Sequence, residues 1–255
     1  MIHPTALIDP AAELAEDVQV GPYTVIGPNV KIGAGSVIAS HVVINGPTTI
    51  GRNNRIFQFA SVGEECQDKK YQGEPTRLEI GDDNVIREGV TIHRGTVQDQ
   101  SLTKIGSRNL LMAYVHVAHD CMVGDDCIFA NNASLAGHAH VGDGVILGGM
   151  TGVHQFCRIG SFAMTSGCSL VLKDIPAYVM VSGNPASARS MNFEGMRRRG
   201  WSADTISALR QAYRTVYRRG LTLEQAIAEL QSQPQDPHLQ VLIDSLRAST
   251  RGITR

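Results

Sequence analysis

Histidine is the most informative reactive side chain in this sequence. Six of the nine, His93, His116, His119, His138, His140 and His154, fall between residues 93 and 154. The densest group is the run His116-Val-Ala-His119-Asp120, and His138 follows Asp120 after 18 residues. An imidazole that titrates near neutrality can take a proton from a hydroxyl, while a neighbouring carboxylate fixes its tautomer and stabilises the imidazolium. The competing chemistry is metal binding. Three imidazoles drawn from His93, His116, His119 and His138 could hold zinc and leave a position open for water. Gly137, just before His138, is either a turn glycine or a residue whose bare backbone N–H can face a developing oxyanion.

The element that positions these residues is a repeat. From Ile2 every sixth residue is aliphatic through Val62; the phase resumes at Ile80, Ile86 and Ile92, and returns from Ile105 to Ile159, with Val171 its last clear member. Glycine often follows the aliphatic residue, and a small or β-branched residue stands two before it. Strand side chains alternate with period two, so those two residues share one face and point inward. Such a period over this length excludes helical heptads and predicts a parallel β-helix, each hexad one short strand and a turn. Three hexads per coil would stack Asp120 on His138 and set His116, which precedes the inward Val117, on the outside.

Composition agrees with a narrow aliphatic core: 26 glycines, 13 aromatic residues and 42% apolar content in 255 residues. A formal charge of −1 with that apolar content excludes a disordered chain, and weighs against nucleic acid as a partner. No run of about 18 apolar residues is present, so no membrane insertion is expected. The N-terminus lacks the basic start and apolar run of a secretion signal, which reads as cytoplasmic. Five cysteines without paired ligand spacing make a disulfide framework or cysteine zinc site unexpected.

Two stretches interrupt the phase, 64–77 and 94–104, and both are expected as external loops, the places where solenoids carry binding groups. The charged run Gln67-Asp68-Lys69-Lys70-Tyr71 is either a solvated loop or part of such a site. From residue 190 the composition changes: ten arginines, no lysine and six acids give +4, against −5 for residues 1–189. Ser202, Thr222 with Gln225, and Asp236 before Pro237 read as helix starts, which predicts a small α-helical domain at 190–255 capping a β-helix at 1–189. Arg197-Arg198-Arg199 is either a solvated helix face or a phosphate site.

Gly-Glu-Pro-Thr-Arg (73–77), Thr-Ile-His-Arg-Gly-Thr (91–96), Ala-His-Asp-Cys (118–121), Leu-Ala-Gly-His (135–138), Val-His-Gln-Phe-Cys (153–157), Gly-Asn-Pro-Ala (183–186) and Asn-Phe-Glu-Gly-Met-Arg-Arg-Arg-Gly (192–200) closely resemble motifs of one family. It is the UDP-N-acetylglucosamine O-acyltransferases of bacterial lipid A biosynthesis, and the likeness spans essentially the whole chain. The resemblance implies a left-handed parallel β-helix with a helical C-terminal domain, assembled as a homotrimer with sites between neighbours. It implies transfer of an (R)-3-hydroxyacyl group from acyl carrier protein to the 3-hydroxyl of UDP-N-acetylglucosamine, the first step of that pathway, without a cofactor or catalytic metal.

By the same resemblance His119 is the general base, Asp120 orients it, and the Gly137 N–H stabilises the oxyanion. Gln67, Asp68 and Lys70 contact substrate and the acyl hydroxyl, and His116, His138, His154 and Gln155 line the cleft. Gly167 ends the acyl groove as a length ruler, and a glycine there implies a longer hydroxyacyl chain. Asn192, Glu194, Arg198 and Arg199 hold the nucleotide, and the basic cap suits an acidic carrier protein. Two alternatives accompany this reading: a zinc-dependent β-helix enzyme of carbonic-anhydrase type, and the related lipid A N-acyltransferase. The latter carries an additional N-terminal domain, whereas the hexads here begin at Ile2.

Overall fold

The computed structural model describes residues 1–234 and 236–255. Strands of two to four residues recur at each hexad, and the chain turns a corner between them. Leu7–Ile8, Glu13–Leu14 and Gln19–Val20 open three faces, here I, II and III, and every later coil visits them in that order. The faces hold nine, eight and ten strands. Pairing is parallel and keeps residues 18 apart in register, as in His116 with Ser134 and Val117 with Leu135. Among the described residues only the closing hairpin, Val179–Ser182 with Ser187–Met191, is antiparallel.

The inward positions are those the hexad marks. Ile26, Ile44, Ile86, Leu111, Val117, Leu135 and Leu147 are buried in one continuous cluster. Each removes a branched side chain from water, a gain of about 2 kcal/mol per residue. The core is aliphatic with one ring in it: Phe129, at a hexad position, is fully buried inside the prism. Thr165 replaces the aliphatic residue in a late coil and meets Thr151 Oγ1 at 2.8 Å, so its hydroxyl is satisfied there.

The outward positions distinguish the faces. Face II presents Glu13, Lys31, Glu79, Lys104, His140 and Arg158. Face I opens with Leu7, Val25 and Val43, and face III carries Val37 and Ile128, all exposed. At the III–I corner the exposed Tyr23, Phe59, Tyr114 and Met150 occupy left-handed turn positions. Tyr23, His41 and Phe59 form a ladder with ring centroids 5.2 and 5.7 Å apart.

Both insertions leave from the I–II corner of adjacent coils. They are shorter than expected: Glu64 and Arg77 end strands Ser61–Glu64 and Arg77–Ile80, and Leu102–Ile105 is a strand, leaving loops 65–76 and 94–101. After the hairpin come helices α1 (Phe193–Arg198), α2 (Ala203–Arg218), α3 (Leu223–Gln231) and α4 (Pro237–Arg247). Ser202, Thr222 and Asp236 cap the last three, with a full capping box at Thr222 and Gln225. Their core includes Ala177, Tyr178 and Met191 of the last coil and hairpin. Asp174 locks the C-terminal tail to the solenoid, accepting hydrogen bonds from Ser249 Oγ and the Thr250 and Arg251 amides.

Candidate active site

The I–II corner collects the sequence-predicted histidines in a column. Three successive coils place Ala118-His119-Asp120, Ala136-Gly137-His138 and His154-Gln155-Phe156 there. Asp120, His138 and Phe156 all take a left-handed backbone conformation, and the His138 amide donates to the His119 carbonyl at 3.0 Å. The Asp120 and His138 stack expected from their spacing is present. It is not, however, on the open surface: Asp120 and His138 are buried, because loop 94–101 folds over them.

That loop supplies partners that the hexad pattern does not reveal. His119 Nδ1 lies 2.9 Å from Asp120 Oδ2. The Thr96 amide donates to Asp120 Oδ1 at 2.9 Å and its hydroxyl to Oδ2 at 2.6 Å, and Thr103 Oγ1 accepts from the Asp120 amide. Burial alone would raise the Asp120 carboxyl, but the bonds from His119 and Thr96 outweigh it and hold it below its usual range. Asp120 is therefore a fixed anion against one edge of the imidazole. Asp99 engages His138 Nδ1 at 3.0 Å, and the His138 ring stacks on Phe156 with centroids 4.5 Å apart. Thr96 and Asp99 sit in the phase-breaking insertion, where no register could place them, while Thr103 stands two before the inward Ile105 on strand Leu102–Ile105.

Gly137 sits under His119. A methyl group there would stand 2.5 Å from Cε1 and 2.6 Å from Nε2 of that ring, so only glycine leaves the imidazole in place. Its N–H makes no hydrogen bond among the described residues. The same corner position is proline in early coils, at Pro10 and Pro28, so the β-helix has no use for that donor. At the II–III corner the equivalent amides are tied up instead: Ser107 donates to Asp125, Asp125 to Asp143 and Asp143 to Ser161.

His116 faces outward beside the group, its Nδ1 2.7 Å from Thr91 Oγ1. Behind it His93 is buried, edge to face with His116 at 5.0 Å. Burial, then the neighbouring His116, pushes His93 down to about 4, and burial and His119 lower His116. The four histidines thus form two pairs and do not converge on one point. The groups that could share a cation are His119, Asp120 and His138, with ligand atoms within 4.8 Å. Those atoms are already turned to each other, to Thr96 and to Asp99, so zinc held by three histidines does not fit this corner.

The remaining expected residues divide. Loop 65–76 overhangs the same corner, with Gln67 and Lys70 exposed and Asp68 half-buried. Burial raises the thiol of Cys66 in this loop; a backbone hydrogen bond at Asp68 opposes the rise, and the carboxylates of Asp68 and Asp120 add to it. His154 and Gln155 continue the column. Gly167 instead lies at the III–I corner, stacked on Gly149. Asn192 and Arg199 line a niche with Phe162 and Trp201 at the II–III corner, the Arg199 guanidinium 4.8 Å above the Phe162 ring. Glu194 pairs with Arg197 and Arg198 on α1. Within one chain, the residues expected to hold the nucleotide and His119 therefore occupy different edges of the prism.

Comparison with known proteins gives the same reading. Residues 174–254 match the family profile described as UDP N-acetylglucosamine O-acyltransferase, domain 2, and residues 2–46 and 102–137 match the bacterial transferase hexapeptide repeats. The acyl-[acyl-carrier-protein]–UDP-N-acetylglucosamine O-acyltransferase of Stutzerimonas stutzeri is 63% identical over all of this chain and 99% of its own. The chain belongs to this acyltransferase family. Its fold is the family's left-handed parallel β-helix with a helical C-terminal part. The solved structure of LpxA from Acinetobacter baumannii superposes with a TM-score of 0.98 at 62% identity, covering 100% of this chain and 99% of that one. The UDP-N-acetylglucosamine O-acyltransferase of Moraxella catarrhalis gives 0.98 at 57%, with the same coverage. Full-length membership at this identity replaces both the carbonic-anhydrase alternative and the N-acyltransferase one.

Proposed function

We propose that this acyltransferase moves an (R)-3-hydroxyacyl group from acyl carrier protein to the 3-hydroxyl of UDP-N-acetylglucosamine, with His119 as general base. The observation that carries this is the juxtaposition of a carboxylate-bound imidazole and an unused backbone N–H one coil below it. His119 Nε2 takes the sugar hydroxyl proton while Asp120, fixed by Thr96, stabilises the imidazolium. The sugar oxygen attacks the thioester carbonyl, and the Gly137 N–H receives the oxyanion. Collapse re-forms the carbonyl, breaks the C–S bond and releases the carrier's thiol, which takes the proton back from His119. The balance closes without a cofactor.

The reading includes a homotrimer. The apolar outward residues of faces I and III flank the aromatic III–I corner, whereas face II is charged; three prisms joined at that corner would bury the first two and leave face II in water. The His119 edge of one copy would then face the Arg199 edge of the next, closing a cleft that neither chain has alone. Asn192, Glu194, Arg198 and Arg199 would hold the nucleotide from that neighbour, while Gln67, Asp68, Lys70, His116, His138, His154 and Gln155 line the side nearest the base. Face I leads from His119 to Gly167, a path for the acyl chain. On α2 the exposed Arg210, Arg214 and Arg218 have no acid within ion-pair distance among the described residues, which suits an acidic carrier. Among the described residues no helix is long and apolar enough to cross a membrane; we place the enzyme in the cytoplasm with its water-soluble substrates.

The deciding assay offers the purified protein hydroxyacyl carrier protein with either UDP-N-acetylglucosamine or its 3-acylated, deacetylated amine. Ester formation on the first sugar is expected. Acylation of the amine alone contradicts the proposal.

A further inference from the structure

Arg94 stands in the same corner column as His119 and Gly137, two residues after the inward Ile92, yet no part of the mechanism uses it. Its side chain is about nine-tenths buried, at 7% exposure. A buried cation is normally paired with a carboxylate, but the nearest here, Glu65 Oε1, is 3.9 Å away. The guanidinium instead donates to the Gly63 carbonyl at 2.6 Å and to the Tyr71 hydroxyl at 3.2 Å, and its Nε has no partner. Tyr71 in turn donates to the Glu74 carbonyl at 2.9 Å, and its own amide bonds the Asp68 carbonyl at 3.0 Å. One planar fork thus ties the strand end just before loop 65–76 to the middle of that loop.

The backbone around Arg94 is equally fixed. Its amide donates to Glu64 O at 3.0 Å. At Gly95 a methyl group would clash with the Leu102 amide, because the neck of loop 94–101 closes there. Two residues on, Thr96 holds Asp120. The segment Arg94-Gly95-Thr96 therefore grips the loop bearing Asp68 and Lys70 with one hand and the base pair with the other.

We propose that Arg94 is a positioning residue that sets, through Tyr71, where Asp68 stands relative to His119, and so sets selectivity for donors carrying a 3-hydroxyl. This rests on the reading that Asp68 contacts the acyl hydroxyl. Lysine keeps the charge but not the two-pronged geometry, and Tyr71→Phe removes only the hydroxyl without disturbing the buried arginine's other contact.

The test compares kcat/KM for a 3-hydroxyacyl and an unsubstituted acyl carrier of equal length in the wild type, Arg94→Lys, Tyr71→Phe and Asp68→Asn. Arg94→Lys and Tyr71→Phe are expected to shrink the hydroxyacyl preference about tenfold, the loss of one hydrogen bond to a charged group, mainly through donor KM. Rates on the unsubstituted donor should stay near wild type. Equal losses on both donors, or an unchanged preference, overturn the proposal. If Asp68→Asn abolishes the preference and the other two variants do not, only the role of Arg94 fails; if Asp68→Asn keeps it, the reading of Asp68 fails.

Discussion

Gly137 lies so close beneath His119 that a methyl group on it would stand 2.5 Å from the imidazole Cε1. The proposed base and the proposed oxyanion donor are thus in direct contact between adjacent coils. Gly137→Ala is expected to displace the ring and cut kcat by about 10²-fold or more, the usual loss when oxyanion stabilisation fails. Circular dichroism and assembly state should stay near wild type, since the N–H is not part of the ladder. Near-wild-type kcat would show that the contact has no catalytic meaning.

Removing the base or its orienting anion gives a second expectation. His119→Ala should abolish turnover with the assembly state unchanged, and Asp120→Asn should lower kcat by about 10²- to 10⁴-fold. Thr96→Val removes one of three hydrogen bonds to Asp120 and should cost less than either. Steady-state rates rank the three; a Thr96 variant as impaired as Asp120→Asn would mean that loop 94–101 does more than hold the carboxylate.

His93 supplies a pH dependence of stability. Its folded value is pushed from 6.5 to about 4, so between those values the unfolded chain binds the extra proton and stability rises with pH. Stability should therefore fall as pH drops from about 6.5 to about 4, by at most about 3 kcal/mol from this group. Asp120 acts in the same direction, since its lowered carboxyl must be protonated on acid unfolding. Urea unfolding at several pH values should show a shallower slope in His93→Asn. An unchanged slope would remove His93 as a source.

Much of the architecture was legible because the hexad is a physical constraint repeated in every coil: Val117 had to point in, His116 out, and Asp120 had to stack on His138. The capping residues Ser202, Thr222 and Asp236 announced the helices for equally local reasons. What the sequence could not place were groups outside the period. Thr96 and Asp99 cover Asp120 and His138 from an insertion with no register. The separation of Arg199 from His119 is a matter of which prism edge each occupies, and the motifs alone, each clear in sequence, carry no such information.

Gly167 bears on chain length. A Cβ there would meet only the Gly149 backbone within its own chain, its carbonyl oxygen at 3.3 Å, a tight approach that asks for a shift of a few tenths of an ångström. The wild type should prefer a longer hydroxyacyl donor, and Gly167→Met should move the preference to shorter ones with little change in thermal stability. Competition between carriers of different length reads this directly; short carriers winning in the wild type would contradict it.

The central claim is a catalytic site shared between copies, with His119 on one and the α1 arginines on the next. Co-expression of His119→Ala with Arg198→Ala/Arg199→Ala, each inactive or severely impaired alone, tests it most directly. Random mixing in a closed ring should restore about one intact site in four, and a corresponding fraction of wild-type activity. Mixed assemblies no more active than the separate variants would contradict the account.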